Sequence, residues 1–215
     1  MFERFRAVYG PLRDTPKAGA VWEDERLVQV EGYAEFAAEF SGASFGNGLY
    51  RVHDDRSGPL AFTLIANEFP DFASRVCPVG YDWLGRQFAV DSGRLTAGQP
   101  QILLLEPGTG EALEIPVPFT GLHEEELIEY PDAALASDFF DVWSAANAGA
   151  LPLRRDQCVG YRVPLFLGGG DVVENLEVSD MEVYWSICGQ LRQGTSTLPP
   201  GTSINEIAGQ SGWQQ

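Results

Sequence analysis

Near the middle of the chain two apolar runs, Gln101-Ile102-Leu103-Leu104-Leu105-Glu106 and Glu111-Ala112-Leu113-Glu114-Ile115-Pro116, flank Pro107-Gly108-Thr109-Gly110. Glycines at such a junction supply the positive φ that a tight hairpin turn demands. An antiparallel hairpin is therefore expected here, in a β-rich middle of the chain. Short strand-like runs at 76–79 and 85–91 precede the hairpin, and helical spacing follows it. Strands and helices do not alternate as βαβ units. The expected class is α+β, a mostly antiparallel curved sheet with helices packed on it, in one compact unit or two closely packed subdomains.

The remaining elements follow from periodicity. Residues 2–9 read as a short helix and 10–16 as a turn-rich connector. Residues 26–30 read as a strand. Tyr33, Phe36, Ala37 and Phe40 lie at helical spacing, so 33–40 is an amphipathic helix. A glycine-containing loop at 41–48 leads into a strand at 49–53, and 60–69 is a helix closed by Pro70. Beyond the hairpin, 120–130 is a helix with Leu122, Leu127 and Ile128 inward and an acidic first turn, as the helix dipole favours. Asp132 caps a second helix running to 147, with Leu135, Phe139, Val142 and Trp143 buried. Strands are expected at 158–163 and 165–167, and a last helix at 179–190 from a Ser179 or Asp180 cap. From Arg192 onward the Gly-, Pro-, Ser- and Thr-rich tail is expected to be mobile or clamped on the surface.

Charge narrows the function. The chain of 215 residues has 31 acids and 14 bases, a formal net charge of −17. The surplus is uneven: residues 1–110 hold 15 acids and 10 bases, residues 111–215 hold 16 and 4. Between Glu111 and Leu153 nine acids occur with no Lys or Arg. Such a field repels nucleic acid and anionic membranes and steers a basic partner inward. No run approaches the roughly 20 apolar residues of a membrane span, and residues 1–6 lack the apolar core of a secretory signal. A cytoplasmic protein is expected. Cys77, Cys158 and Cys188 are odd in number and far apart, which points to buried free thiols rather than a disulfide framework.

Motifs for chemistry are absent. His53, at a strand end, and His123, in the acidic first turn, are expected at the surface, the second with its pKa raised by Glu124, Glu125 and Glu126. No Cys-x-x-Cys, His-x-x-x-His or Asp-rich calcium loop is present, so no metal or cofactor is expected. Gly42 to Gly48 and Gly168-Gly169-Gly170 lack the Lys-Ser/Thr of a phosphate loop. Asp82, Asp91 and Glu106 are the only candidates for a working carboxylate pair in the β-rich middle.

Two segments carry a resemblance. Cys158-Val159-Gly160-Tyr161, Leu167-Gly168-Gly169, Asn175-Leu176 and Val183-Tyr184-Trp185-Ser186-Ile187-Cys188-Gly189-Gln190-Leu191 resemble the Tdi family, immunity proteins of type VI secretion DNase effectors. That family ends with a Gly-Tyr/Phe strand, a Leu-Gly-Gly turn, an Asn-Leu step and a helix closing in Gln-Leu. Gly46-Asn47-Gly48-Leu49-Tyr50-Arg51-Val52 is similar to the GAD-like region that often precedes it. The resemblance implies a GAD-like region at 1–74, a Tdi-type domain at 75–193 and a tail at 194–215. It implies a non-catalytic protein that binds a cognate toxin.

A DNase grips phosphates with a basic face, and an inhibitor presenting carboxylates competes for it. The expected contacts are Glu124, Glu125, Glu129 and Asp132, with Glu125, Glu129 and Asp132 on one helix face, and a second patch of Asp171, Glu174 and Glu177. Tyr130 and Trp83 are candidate anchors, unless they pack in the core. Two other readings remain open: an enzyme or small-ligand binder with a pocket around Tyr81, Asp82, Trp83 and Arg86, and a regulatory scaffold for another basic protein.

Overall fold

The computed structural model describes residues 1–10 and 19–195. Helices α1 (Glu3–Tyr9) and α2 (Tyr33–Phe40) precede a six-stranded sheet. Its strands are β1 (Ser44–Phe45), β2 (Tyr50–Val52), β3 (Val76–Asp82), β4 (Gln87–Thr96), β5 (Gln99–Glu106) and β6 (Glu111–Pro118). They lie in sequence order, each antiparallel to the next. Helix α3 (Ser57–Glu68) connects β2 to β3. The strand β6 is an edge, carrying Glu111, Glu114, Pro116 and Pro118.

Side chains of a strand alternate between faces, and here both faces are covered. Phe88, Val90, Ile102 and Leu104 pack with Phe2 and Phe5 of the N-terminal segment, Phe36 and Phe40 of α2, and Leu122, Leu127 and Leu135. Ala89, Leu103 and Leu105 point the other way, against Leu64 and Ile65 of α3 and Tyr184, Trp185 and Cys188 near the C-terminus. This explains why β5 reads as an unbroken apolar run.

Residues 119–129 form one helical stretch: α4 (Phe119–Gly121), a π-helical turn (Leu122–Glu126) and α5 (Leu127–Glu129). Helices α6 (Pro131–Leu135) and α7 (Ser137–Ala146) follow. A second sheet pairs β7 (Gln157–Tyr161) with β8 (Leu176–Asp180), and α8 (Met181–Thr195) closes the described chain. Trp83 joins the two parts, packing with Phe140, Trp143, Val159, Tyr161 and Leu176.

Several expectations change. Residues 26–30 are not a strand: the Asp24 carboxylate accepts the Arg26 N–H at 2.9 Å, and tight turns follow, Val30 N to Leu27 O at 3.1 Å. The Leu165–Leu167 segment is a 3₁₀ turn, with Gly168 N donating to Leu165 O at 2.9 Å. The single helix expected from 132 to 147 breaks at Ala136, whose φ is 50°. The break turns Phe140 and Trp143 inward and leaves Val142 60% exposed, not buried. The thiols of Cys77, Cys158 and Cys188 are free and buried. The Asp180 cap forms, accepting Val183 N–H at 3.0 Å. The tail beyond 195 lies outside the described residues, and among those described no helix is long and apolar enough to cross a membrane. The boundary expected at 74/75 falls between α3 and β3, and β2 pairs directly with β3 across it.

Candidate partner-binding surface

The acidic stretch Glu124, Glu125, Glu126 sits on the π turn. Leu122 and Leu127 are five residues apart and both fully buried. In an α-helix that spacing would splay them by about 140°. A wider turn realigns them, and such turns often mark functional sites. The five-residue spacing was the signal for it in the sequence.

His123 holds this turn from inside. It is fully buried, not solvated, and its ring lies 4.0 Å from that of Phe36 and 4.4 Å from that of Phe119. Nδ1 sits 3.0 Å from Phe119 O, which only accepts, so Nδ1 carries the proton. Nε2 then accepts from Tyr50 O–H at 2.8 Å. Burial pushes its pKa down to about 3, opposite to the rise expected from its acidic neighbours. His53 is likewise buried, its Nδ1 3.1 Å from Ser57 Oγ and its Nε2 2.9 Å from Gln87 Oε1, and burial lowers it to about 3.

The expected contact residues divide by what they already hold. Glu124 accepts Phe5 N–H at 3.2 Å, in the first turn of α1, which has no side-chain cap of its own. Glu129 pairs with Arg4 at 2.7 Å. Asp132 accepts Asp138 N–H at 3.1 Å and so caps α7 across the Ala136 break. Glu125 is exposed and has no hydrogen-bond or ion-pair partner among the described residues. The chain leaves its helical path at Tyr130, φ −129° and ψ 48°, so Asp132 does not continue the face of Glu125 and Glu129. Tyr130 is exposed, whereas Trp83 is core, its indole N–H donating to Leu135 O at 2.9 Å.

The second patch rests on a rigid excursion between β7 and β8. Asn175 binds it like a strand: Oδ1 accepts Val163 N–H at 3.0 Å, and Nδ2 donates to Val163 O and Gly170 O, each at 2.9 Å. At Gly169 a Cβ would lie 1.9 Å from Val163 O, and at Gly160 it would lie 2.5 Å from the Tyr184 ring. Asp171 accepts Tyr161 O–H at 2.7 Å, Glu177 pairs with Arg162 at 3.4 Å, and Glu174 is exposed without a hydrogen-bond or ion-pair partner among the described residues. The Gly-Tyr, Leu-Gly-Gly and Asn-Leu motifs thus serve architecture. Gly160→Ala is expected to lower stability by about 1–3 kcal/mol through overpacking, read from the denaturant midpoint.

Sequence reasoning missed two arginines, one buried and one half-buried, that bind backbone carbonyls across the fold. Arg51 donates to Arg154 O, Gln157 O and Asp82 O at 2.9, 2.6 and 2.8 Å, and its guanidinium stacks on Tyr81 at 4.4 Å. Arg155 reaches back to Gly42 O and Val52 O at 2.6 and 3.0 Å. These bonds staple the C-terminal part to the sheet. Only the apolar neighbours of Arg51 on β2 hinted at it.

The pocket expected around Tyr81, Asp82, Trp83 and Arg86 is filled. All four are buried, and the Asp82 carboxylate is spent on Arg86 Nε at 2.5 Å. Asp91 pairs with Arg75 at 3.1 Å, and Glu106 is buried near Arg86, its pKa pushed up to about 7 by burial. The cleft that Tyr81 does line, with His53 and Gln87, encloses about 100 Å³, too small for a drug-sized ligand. Among the described residues no group of three or more His, Cys, Asp or Glu is placed to hold a metal ion.

Comparison with known proteins adds three findings. No curated protein matches the sequence. The fold is similar to a solved structure, Atu4351 from Agrobacterium tumefaciens, with a TM-score of 0.54 over 88% of this chain and 89% of that one, at 15% identity. Residues 132–192 match the family model of the T6SS immunity protein Tdi1, C-terminal. They span most of α6, then α7, β7, β8 and most of α8, including the excursion that Asn175 stitches. Over residues 132–192, and over those residues alone, this chain is similar to the Tdi-type immunity family.

Proposed function

We propose that the protein is an immunity protein that binds and neutralises a basic, DNase-like type VI secretion effector through its acidic surface, without turnover of its own. The observation that carries this reading is the Tdi1 match at 132–192, overlapping a stretch from Glu111 to Leu153 that has nine acids and no base. A nuclease must present positive charge to phosphate, and a partner of net charge −17 competes for that face while repelling nucleic acid. A cytoplasmic site of action fits a toxin that attacks DNA. The patches at Glu124, Glu125, Glu129 and Asp132, and at Asp171, Glu174 and Glu177, supply the field.

The test is co-expression with the product of the neighbouring open reading frame, scored for growth. Restored growth is expected; continued killing with both proteins expressed rejects the reading. Association of the purified pair is expected to slow at least about tenfold between about 50 and 500 mM NaCl, since salt shortens the reach of the field. A flat salt response in stopped-flow traces would remove the steering argument.

A further inference from the structure

Not all of the acidic surface is equally available, and the difference locates the contact. Helix α7 has two faces. Phe140 and Trp143 fill the core, while Asp138, Asp141, Val142 and Ala145 face outward. Val142 is mid-helix and 60% exposed, a position where a surface helix ordinarily carries a polar residue. The helix packs against the 3₁₀ turn Val173–Asn175, beside which Val172 is 48% exposed and Asp171 and Glu174 stand outward. Two exposed valines, with Asp138, Asp141, Asp171 and Glu174, thus lie on two neighbouring segments that pack together. The carboxylates of Asp138, Asp141 and Glu174 have no hydrogen-bond or ion-pair partner among the described residues. At and just after the π turn, by contrast, Glu124, Glu129 and Asp132 are already engaged, and of the four contacts expected there Glu125 alone is not.

We infer that the toxin is held at the outer face of α7 and the adjoining 171–174 turn, by a basic protein surface with an apolar centre. This rests on the immunity reading and names the place where it acts. The occupant follows from charge and shape. Desolvated hot spots form around an apolar centre ringed by polar groups, and unengaged carboxylates are matched by Lys and Arg. The platform is stiff, since Asp132 caps α7 and Asn175 and Tyr161 fix the turn, so little freedom is lost on docking. The whole face also lies within the family-matched residues 132–192. The π-turn patch acts at longer range, as a steering rim.

The two roles predict different kinetics. The probe is the purified toxin whose killing the full chain suppresses on co-expression, and the full chain is immobilised for surface binding measurements. Val142→Arg, and separately Asp138→Lys with Asp141→Lys, are expected to weaken binding at least about 100-fold, mainly through faster dissociation. Glu125→Lys with Glu129→Lys is expected to cost less than about tenfold, mainly through slower association. Thermal melting checks folding, and Val142→Ser, expected to weaken binding about tenfold, replaces Val142→Arg if that variant melts early. Wild-type affinity in the α7 variants, with the natural chain still binding, overturns the placement and leaves the immunity reading intact. Failure of the natural chain to bind overturns both.

Discussion

Trp83→Ala is expected to lower the stability of the folded chain by about 4–5 kcal/mol, a large part of what a single domain ordinarily has. Trp83 is fully buried where the main sheet meets the C-terminal part. Its ring lies 5.2 Å from that of Phe140 and 5.8 Å from that of Trp143. Truncation removes the transfer free energy of the indole and leaves a cavity that two surrounding elements, tied down elsewhere, cannot fill. It also orphans the Leu135 carbonyl at the α6–α7 corner, which adds about 1 kcal/mol. The backbone bonds Trp83 N to Leu49 O at 3.1 Å and Val159 N to Trp83 O at 2.7 Å survive the change. Trp83→Phe keeps most of the volume and lacks the N–H, so it is expected to recover more than half of the loss. Urea unfolding of the three proteins decides: a loss under about 2 kcal/mol for the alanine variant would mean that the C-terminal part is not anchored through this residue.

Acidification from pH 6.5 to 5 is expected to lower stability by about 2 kcal/mol. Three buried groups set the sign. His53 and His123 have folded pKa values pushed down to about 3 by burial, whereas in the unfolded chain a histidine takes up its proton near 6.5. Below pH 6.5 the unfolded state binds protons that the folded state refuses. Each histidine therefore removes about 1.4 kcal/mol per pH unit as the pH falls. Glu106 works the other way. Its folded pKa is pushed up to about 7, so between pH 7 and the ordinary carboxylate range the folded state holds the extra proton and gains stability on acidification. It cancels one histidine, and one remains. His53→Asn is expected to flatten the profile in this window. Glu106→Gln is expected to steepen it to a loss of about 3 kcal/mol, because both histidines then act unopposed. Urea midpoints at pH 6.5 and 5 measure all three, and a natural protein equally stable at both values would refute the balance.

Much of the fold was written in local pattern. Residues 33–40 became α2 because Tyr33, Phe36, Ala37 and Phe40 recur at helical spacing, and all four are buried. The β5–β6 hairpin followed from its turn residues, and the Asp180 cap from its place before an apolar helix. What failed was set by distant partners. Alanine gives no warning of a helix break, and the left-handed Ala136 is held by the Asp132 carboxylate on one side and the Trp83 cluster on the other. His123 looked solvated because its chain neighbours are glutamates, yet the rings that bury it come from Phe5, Phe36 and Phe119. The candidate surface was legible as charge and not as availability. Sequence cannot show that Glu124 is spent on Phe5 N–H while Glu174 has no such engagement.

The outer strand β6 has a further consequence. An exposed strand edge invites a second chain to add to it, and from there fibrils grow. Along β6, Pro116 and Pro118 lack the N–H that such an addition would use, and Glu111 and Glu114 would meet the same carboxylates on an identical neighbour. This margin lets copies of the chain crowd together without strand joining strand along it.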